Sequence, residues 1–535
     1  MTKSFKIIRV VFIAIFLFII LPQINLRGNE QQGEDVLRRA REAAADDRHG
    51  EALRLYFKAG RMDTSLIGEL GKEIGLQYTW SDKPDSAIIW FQRYLETHPE
   101  DIEGMLGLAR ALSWADKNSE SLKWYRRITR EYPGVLDARV GEARVVSWLD
   151  RNAEAEDLYR KIIEKHPGNT EAALGLARVL NWQGKHREAM CLYNDILEED
   201  PDSKEALKGK AQALKWLGLG SKALELLYKI EGDSEAEEII SSIEHDRAPR
   251  LKFSYGTSYD SDGLEIHRGE AAGLYNIYGE TTIGLGVARL SMRQEAMPHV
   301  TRIDAAARLY SRFNEDWALH LNILPVFHST GSEDFTALTW DGWLTWNPTG
   351  RFRADLSAGR AVIATPLSVQ REIIFSGSGI GIDYKITQSF KALTAYDHRS
   401  YSDGNRRNLV KAAFQWRIIS SPVIVEVQPG YTFFSFREYK PNGYYNPAGY
   451  HNVGVQVGIG GDFSESVYYR IEGRLSREKE KGEDFFSVGS FRSSVEWRAG
   501  DSLELGGEFF ASNSRVAGEA GYSRTFTRVF LRIIF

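Results

Sequence analysis

Three residue pairs stand four positions apart: Arg110 with Trp114, Arg144 with Trp148, and Arg178 with Trp182. In a helix that spacing puts both side chains on one face, where a guanidinium can stack on an indole. Such pairs do no covalent chemistry; they hold a sugar ring, a polymer or a peptide. Trp80 and Trp216 extend the series. A large indole also wedges well between successive helices, and that buried position is the expectation for these rings. Groups suited to catalysis do not converge. No phosphate-binding glycine loop, zinc motif or Gly-x-Ser-x-Gly elbow stands out. His320, His328, His398 and His451 have Ser329, Ser400 or Asp397 near them in sequence. Neighbours on a strand face opposite ways, so these make poor triads. His98 and His166 lie in separate segments without acidic or cysteine partners for a metal, and read as surface residues. The expectation is a non-enzymatic chain with no catalytic, cofactor or metal site.

A repeat positions the arginines and tryptophans. Pro99, Pro133, Pro167 and Pro201 recur every 34 residues, as do Gly107, Gly141, Gly175 and Gly209 and the five tryptophans. With each proline at a unit's end, the units are 34–67 (degenerate), 68–101, 102–135, 136–169, 170–203 and a partial one from 204. The unit 170–203 shows the plan: a helix from Glu171 to Trp182, the turn Gln183-Gly184-Lys185, and a second helix through Tyr193. Ala109, Ala143, Ala177 and Ala211 in the first helices, and Ala87, Ala155, Ala189 and Ala223 in the second, permit close helix crossing. Phe91, Tyr125, Tyr159 and Tyr193 fill the gap beside them, and the proline stops the second helix. These positions resemble the tetratricopeptide repeat family over about 200 residues. The resemblance implies that the first helix of each pair lines the concave surface. Arg110, Trp114, Arg144, Trp148, Arg178, Trp182 and Trp216 then form a candidate binding ladder.

Beyond Pro249 the period changes to two. Val529, Leu531, Ile533 and the terminal Phe535 alternate with Arg528, Phe530, Arg532 and Ile534. Val453 to Ile459, Val423 to Val427 and Val467 to Ile471 alternate likewise against polar partners. Apolar-out, polar-in strands ending in an aromatic residue suit a membrane barrel better than a soluble sandwich. Tight turns are expected at 314–316, 347–350, 387–389, 420–422 and 499–501, with longer connections at 260–268, 329–334, 438–448 and 479–483. This spacing predicts about 16 strands, with both barrel ends on the helical side. Alternation turns Arg470, Arg474, Arg492, Arg524, Arg528 and Arg532 inward, with Glu472, Glu496, Glu504 and Glu508. Tyr310, Trp343, Tyr468, Phe510 and Phe526 share that face, where rings offer a greasy slide for sugars. A 16-stranded barrel is wide enough for water; the competing reading is a lumen plugged by its own salt bridges.

The fold class is therefore an α-solenoid over 34–245 followed by a transmembrane antiparallel β-barrel over 250–535. The chain has 535 residues and a net charge of −5, without the basic face a nucleic-acid partner needs. Its one cysteine, Cys191, sits in an apolar helical run and reads as a buried structural thiol. Lys3, Lys6 and Arg9 precede an apolar run from Val10 to Leu21, the pattern of a signal peptide over 1–28; an uncleaved inner-membrane anchor is the alternative. The whole arrangement resembles the exopolysaccharide export proteins of Gram-negative outer membranes: the cellulose and poly-N-acetylglucosamine porin type and the YaiO-like barrels. The resemblance implies a periplasmic solenoid that guides a polysaccharide or binds polymer-modifying and synthase-complex proteins. It also implies a barrel set in outer-membrane lipid that conducts the chain without a cofactor. The alternatives are a non-conducting outer-membrane docking scaffold and an outer-membrane lipid- or glycan-modifying enzyme.

Overall fold

The computed structural model describes residues 21–331, 334–514 and 524–535, with side chains in the first helix described from residue 32. The expected targeting segment lies, up to residue 20, outside the described residues. No described helix is long and apolar enough to cross a membrane.

Each repeat is a helix pair whose boundaries follow from its sequence. The side chains of Asp101 and Asn169 accept hydrogen bonds from the amides of Gly104 and Ala172, opening the helices Ile102–Trp114 and Thr170–Trp182. Two residues beyond the closing tryptophan the backbone turns left-handed: φ is 54°, 57° and 58° at Asp82, Asp116 and Asp150, and 72° at Gly184. That conformation ends a helix and reverses the chain. The second helices, Pro84–Thr97, Asn118–Glu131, Asn152–Lys165 and His186–Glu199, each stop two residues before the periodic proline. The alanines at the crossings are fully buried. The periodic glycines have a steric cause. A Cβ added at Gly107, Gly141, Gly175 or Gly209 would lie 2.3–2.4 Å from the ring of Phe91, Tyr125, Tyr159 or Tyr193.

The chain divides into two compact units, Met1–Gly184 and Lys185–Phe535. The second contains the helices His186–Glu199, Lys204–Trp216, Gly220–Leu227 and Ser234–Arg247 as well as the barrel. These helices share a core that includes Met190, Leu214, Leu219, Leu227 and Ile243. Cys191 corrects the expectation of burial, because it is exposed. Met190, Tyr193 and Ile196 take the buried stripe of its helix, and Cys191 falls one step outside it.

Sixteen strands close into one antiparallel barrel among the described residues, each paired with its sequence neighbours and β1 with β16. They are β1 (Arg250–Asp260), β2 (Glu265–Tyr278), β3 (Thr281–Arg293), β4 (Val300–Arg312), β5 (Trp317–Ser329), β6 (Asp334–Trp346), β7 (Phe352–Val362) and β8 (Ile374–Lys385). There follow β9 (Phe390–Tyr401), β10 (Arg406–Ile419), β11 (Val423–Phe436), β12 (Tyr450–Ser464), β13 (Val467–Glu480), β14 (Phe486–Arg498), β15 (Leu503–Ser512) and β16 (Arg524–Ile534). The β1–β2 connection is shorter than the expected 260–268, since the alternation of Leu264 and Ile266 carries β2 back to Glu265.

Two observations identify the inner face. On the concave side, side chains reach past a neighbouring strand: Arg268 of β2 meets Asp304 of β4 at 3.4 Å, and Arg470 of β13 meets Glu426 of β11 at 3.5 Å. The opposite face carries the exposed large apolar residues, such as Leu285, Val455, Leu475 and Val529. Outward rings also collect beside the tight turns. Trp317 stacks on Trp346 at 5.9 Å, Trp346 meets Phe352 at 5.7 Å, and Phe390 stacks on Phe414 at 5.6 Å, with Tyr384, Trp416 and Trp497 at the same strand ends. An apolar band bounded by aromatic rings is the surface a barrel presents to lipid.

Candidate functional site

The five periodic tryptophans are exposed, against the expectation that they wedge between helix pairs. Trp80, Trp114, Trp148 and Trp182 are 57, 44, 40 and 45% accessible, and Trp216 is 46%. The reason lies in the glycine–ring packing. Phe91, Tyr125, Tyr159 and Tyr193 already fill the gaps against the periodic glycines, so no space remains for an indole. Each tryptophan ends its helix and projects beside the reversing turn. Arg144 stacks on Trp148 with 5.7 Å from guanidinium to ring, and it also pairs with Glu171 at 3.0 Å. Trp114 meets Trp80 edge-on at 6.2 Å. Arg110 is half-buried and Arg178 exposed. Exposed indoles recurring at each repeat, one of them under Arg144, can hold an extended ligand by stacking.

A half-buried polar cluster fixes one repeat junction. Asp101 accepts from the Tyr94 hydroxyl at 2.6 Å, from Lys72 Nζ at 3.1 Å and from the Gly104 amide at 3.0 Å. Burial works against the carboxylate's charge, but these donors outweigh it and hold the Asp101 pKa down at about 2.

In the lumen, pairing register places Tyr310, Trp343, Tyr468, Arg470, Arg474, Arg492, Phe510, Arg524, Phe526, Arg528 and Arg532 on the inward face. His320 links two of the rings, stacking on Trp343 at 4.0 Å and meeting Tyr310 at 6.0 Å. On β14 to β16 the residues form one patch. Arg528 pairs with Glu508 at 2.7 Å, Arg492 with Glu508 at 3.3 Å, and Arg532 with Glu504. Arg492 covers Phe510 at 5.2 Å and Arg528 covers Phe526 at 5.9 Å. Arg470 binds Glu472 at 2.7 Å, Arg474 donates to Asn452 at 2.6 Å, and Arg524 donates to Ser258 at 2.6 Å.

Two structural elements carry no signal in the sequence. The first is a latch over the mouth opposite the tight turns. The connection 363–373 contains a short helix, Pro366–Gln370, whose buried Val369 packs against the inward Met292, Val300 and Val326. The connection 437–449 lays Tyr444 on Tyr401, 5.0 Å between ring centres. The two segments bond to each other: Thr365 Oγ1 donates to the Gly443 carbonyl and Ser368 Oγ to the Asn442 carbonyl, both at 2.8 Å. The Tyr444 hydroxyl donates to Asp403 at 2.8 Å. The second element docks the last helices on the tight turns. Arg187 binds Asp316 and donates to the carbonyls of Glu315 and Asn347 at 2.7 and 2.6 Å. Arg247 pairs with Glu280 at 2.9 Å, and Glu280 accepts from the Ser221 amide at 2.6 Å.

A family model described as tetratricopeptide repeat matches residues 149–213. A search of curated protein sequences finds no match to the chain. Among solved structures, a bacterial polysaccharide outer membrane secretin is similar at 14% identity and a TM-score of 0.44, over 54% of this chain and 99% of that one. A tetratricopeptide repeat protein from Parabacteroides merdae is similar at 19% identity and a TM-score of 0.37, over 40% and 86% of the two chains. YrrB, a TPR protein with an unusual peptide-binding site, is similar at 18% identity and a TM-score of 0.29, over 35% and 96%. The chain thus joins a tetratricopeptide repeat region to a closed sixteen-stranded antiparallel barrel.

Proposed function

We propose that this chain is an outer-membrane conduit for polysaccharide export, with its repeats on the periplasmic side guiding the polymer or binding a protein that modifies it. The observation that carries this reading is the series of exposed tryptophans on a repeat region that leads into a wide barrel with a polar wall. Indoles offer flat apolar faces to sugar rings, and their periodic spacing suits a periodic ligand. The belt of outward rings supports a bilayer position, and a sixteen-stranded barrel leaves room for an aqueous path. The barrel acts passively, without a catalytic step or cofactor. A second reading, a docking scaffold that does not conduct, draws support from the latched mouth.

Flux separates the two. The full chain in liposomes is tested for passage of oligosaccharides, as wild type and as Gly443→Val. Gly443 has φ 82°, and a Cβ there would meet the Leu367 Cβ at 2.7 Å, so the substitution forces the two segments apart. The conduit reading expects faster passage through Gly443→Val than through wild type. A chain that inserts correctly yet passes nothing in either form supports the scaffold.

A further inference from the structure

Among the described residues, about 20 lysines and arginines stand on the inward strand faces against about 15 aspartates and glutamates, although the chain as a whole is acidic. About half of these carboxylates pair with arginines, and several of the remaining cations stand among others of the same sign. Lys411, midway along β10, lies within electrostatic reach of Arg399, Arg407 and Arg474, opposed by Asp397. Asp397 is already bound by Arg399 at 3.1 Å and by Arg407. Lys252, near the start of β1, lies among Arg308, Arg528 and Arg532, opposed by Glu270, which Arg308 holds at 2.5 Å. Lys385 and Lys391 flank the tight turn 386–389 and share their surroundings with Arg417.

Like charges gathered on one wall repel one another. A mobile polyanion removes that repulsion at every level it passes. The rings point the same way. Phe530 has Lys252 at 5.1 Å and Arg532 at 5.6 Å, and Phe510 lies under Arg492 at 5.2 Å. Cations already stand over these rings, which leaves less of them open to neutral sugars.

We infer that the polymer is acidic, a polysaccharide bearing regularly spaced carboxylate or sulfate groups. The inference rests on the conduit reading and adds the charge of the cargo. The test uses the full chain in planar bilayers, as wild type and Gly443→Val, under an about tenfold KCl gradient. Polygalacturonate, dextran and chitosan oligomers are then added as blockers. The expected result is chloride selectivity of about threefold over potassium, with block by polygalacturonate at concentrations about tenfold below dextran and little block by chitosan. Lys252→Gln with Lys411→Gln lowers that selectivity. A conducting pore that prefers potassium, or that chitosan or dextran blocks as well as polygalacturonate does, overturns the acidic assignment and leaves the conduit standing. A chain that conducts in neither form overturns both.

Discussion

Replacing Gly141 by Ala separates helix propensity from packing. Helix propensity alone predicts a gain, because Ala is favoured over Gly inside a helix by about 1 kcal/mol. The structure predicts a loss. The added Cβ would lie 2.3 Å from Tyr125 Cε1 and 2.5 Å from Cζ. Carbon atoms settle at about 3.5–4.0 Å, so the ring or the helix must retreat by more than about 1 Å. Tyr125 is 2% accessible and cannot simply swing out. Overpacking of that size costs about 3 kcal/mol, leaving a net loss near 2 kcal/mol after the propensity gain. The assay is denaturant unfolding of the full chain in detergent, followed by helical ellipticity. Gly134→Ala is the control, since nothing lies within 4 Å of that Cβ, and it is expected to stay within about 0.5 kcal/mol of wild type. In Tyr125→Leu the Gly141→Ala penalty shrinks, giving a coupling of about 1 kcal/mol or more. A Gly141→Ala chain as stable as wild type, with no coupling to position 125, refutes the ring-in-glycine account of the repeat.

Asp101→Asn lowers helical stability at pH 7 by about 1–2 kcal/mol. The Asp101 pKa of about 2 is depressed below the unfolded value, so its contribution is complete above about pH 4, shrinks as pH falls, and is gone below about pH 2. Unfolding curves of variant and wild type at pH 7 and pH 2 check this; an equal difference at both pH values contradicts it. Trp148→Ala leaves stability within about 1 kcal/mol, because the ring is 40% accessible, but weakens polymer binding by about 0.5–1.5 kcal/mol. Calorimetric titration with acidic oligosaccharides reads the effect. Arg187→Ala removes the bonds to the turns 313–316 and 347–351 and costs about 1–3 kcal/mol of local stability. Faster amide exchange in His186–Glu199, with the barrel unchanged, is the expected result.

Much of the architecture is legible because it repeats. The 34-residue period carries the helix pairs, and the glycine in each unit marks a backbone position pressed against a ring. Alternation carries the strands, and outward valines such as Val453 to Ile459 set their phase. The exposure of the tryptophans was not legible. A periodic aromatic at a helix end looks the same whether it fills a gap or stands beside one, and the tyrosines had already filled it. The exposure of Cys191 is hidden for a related reason: in a helix with apolar residues on more than one side, the stripe depends on neighbours that the sequence does not name. The latch joins residues about 75 positions apart through side chain to carbonyl bonds, and such pairings leave no periodic trace. Arg187 is one charge among many on the helices until the fold brings Asp316 to it.

Membrane topology tests the central claim most directly. Cys191 lies on the docked helix at the tight-turn end and is exposed, while Lys481 lies in a connection at the opposite end. Intact cells carrying either the native chain or a Cys191→Ser, Lys481→Cys chain are treated with a membrane-impermeant maleimide. The account predicts that Cys191 reacts only after the outer membrane is permeabilised and that Lys481→Cys reacts in intact cells. Labelling of Cys191 in intact cells, with position 481 protected, contradicts it.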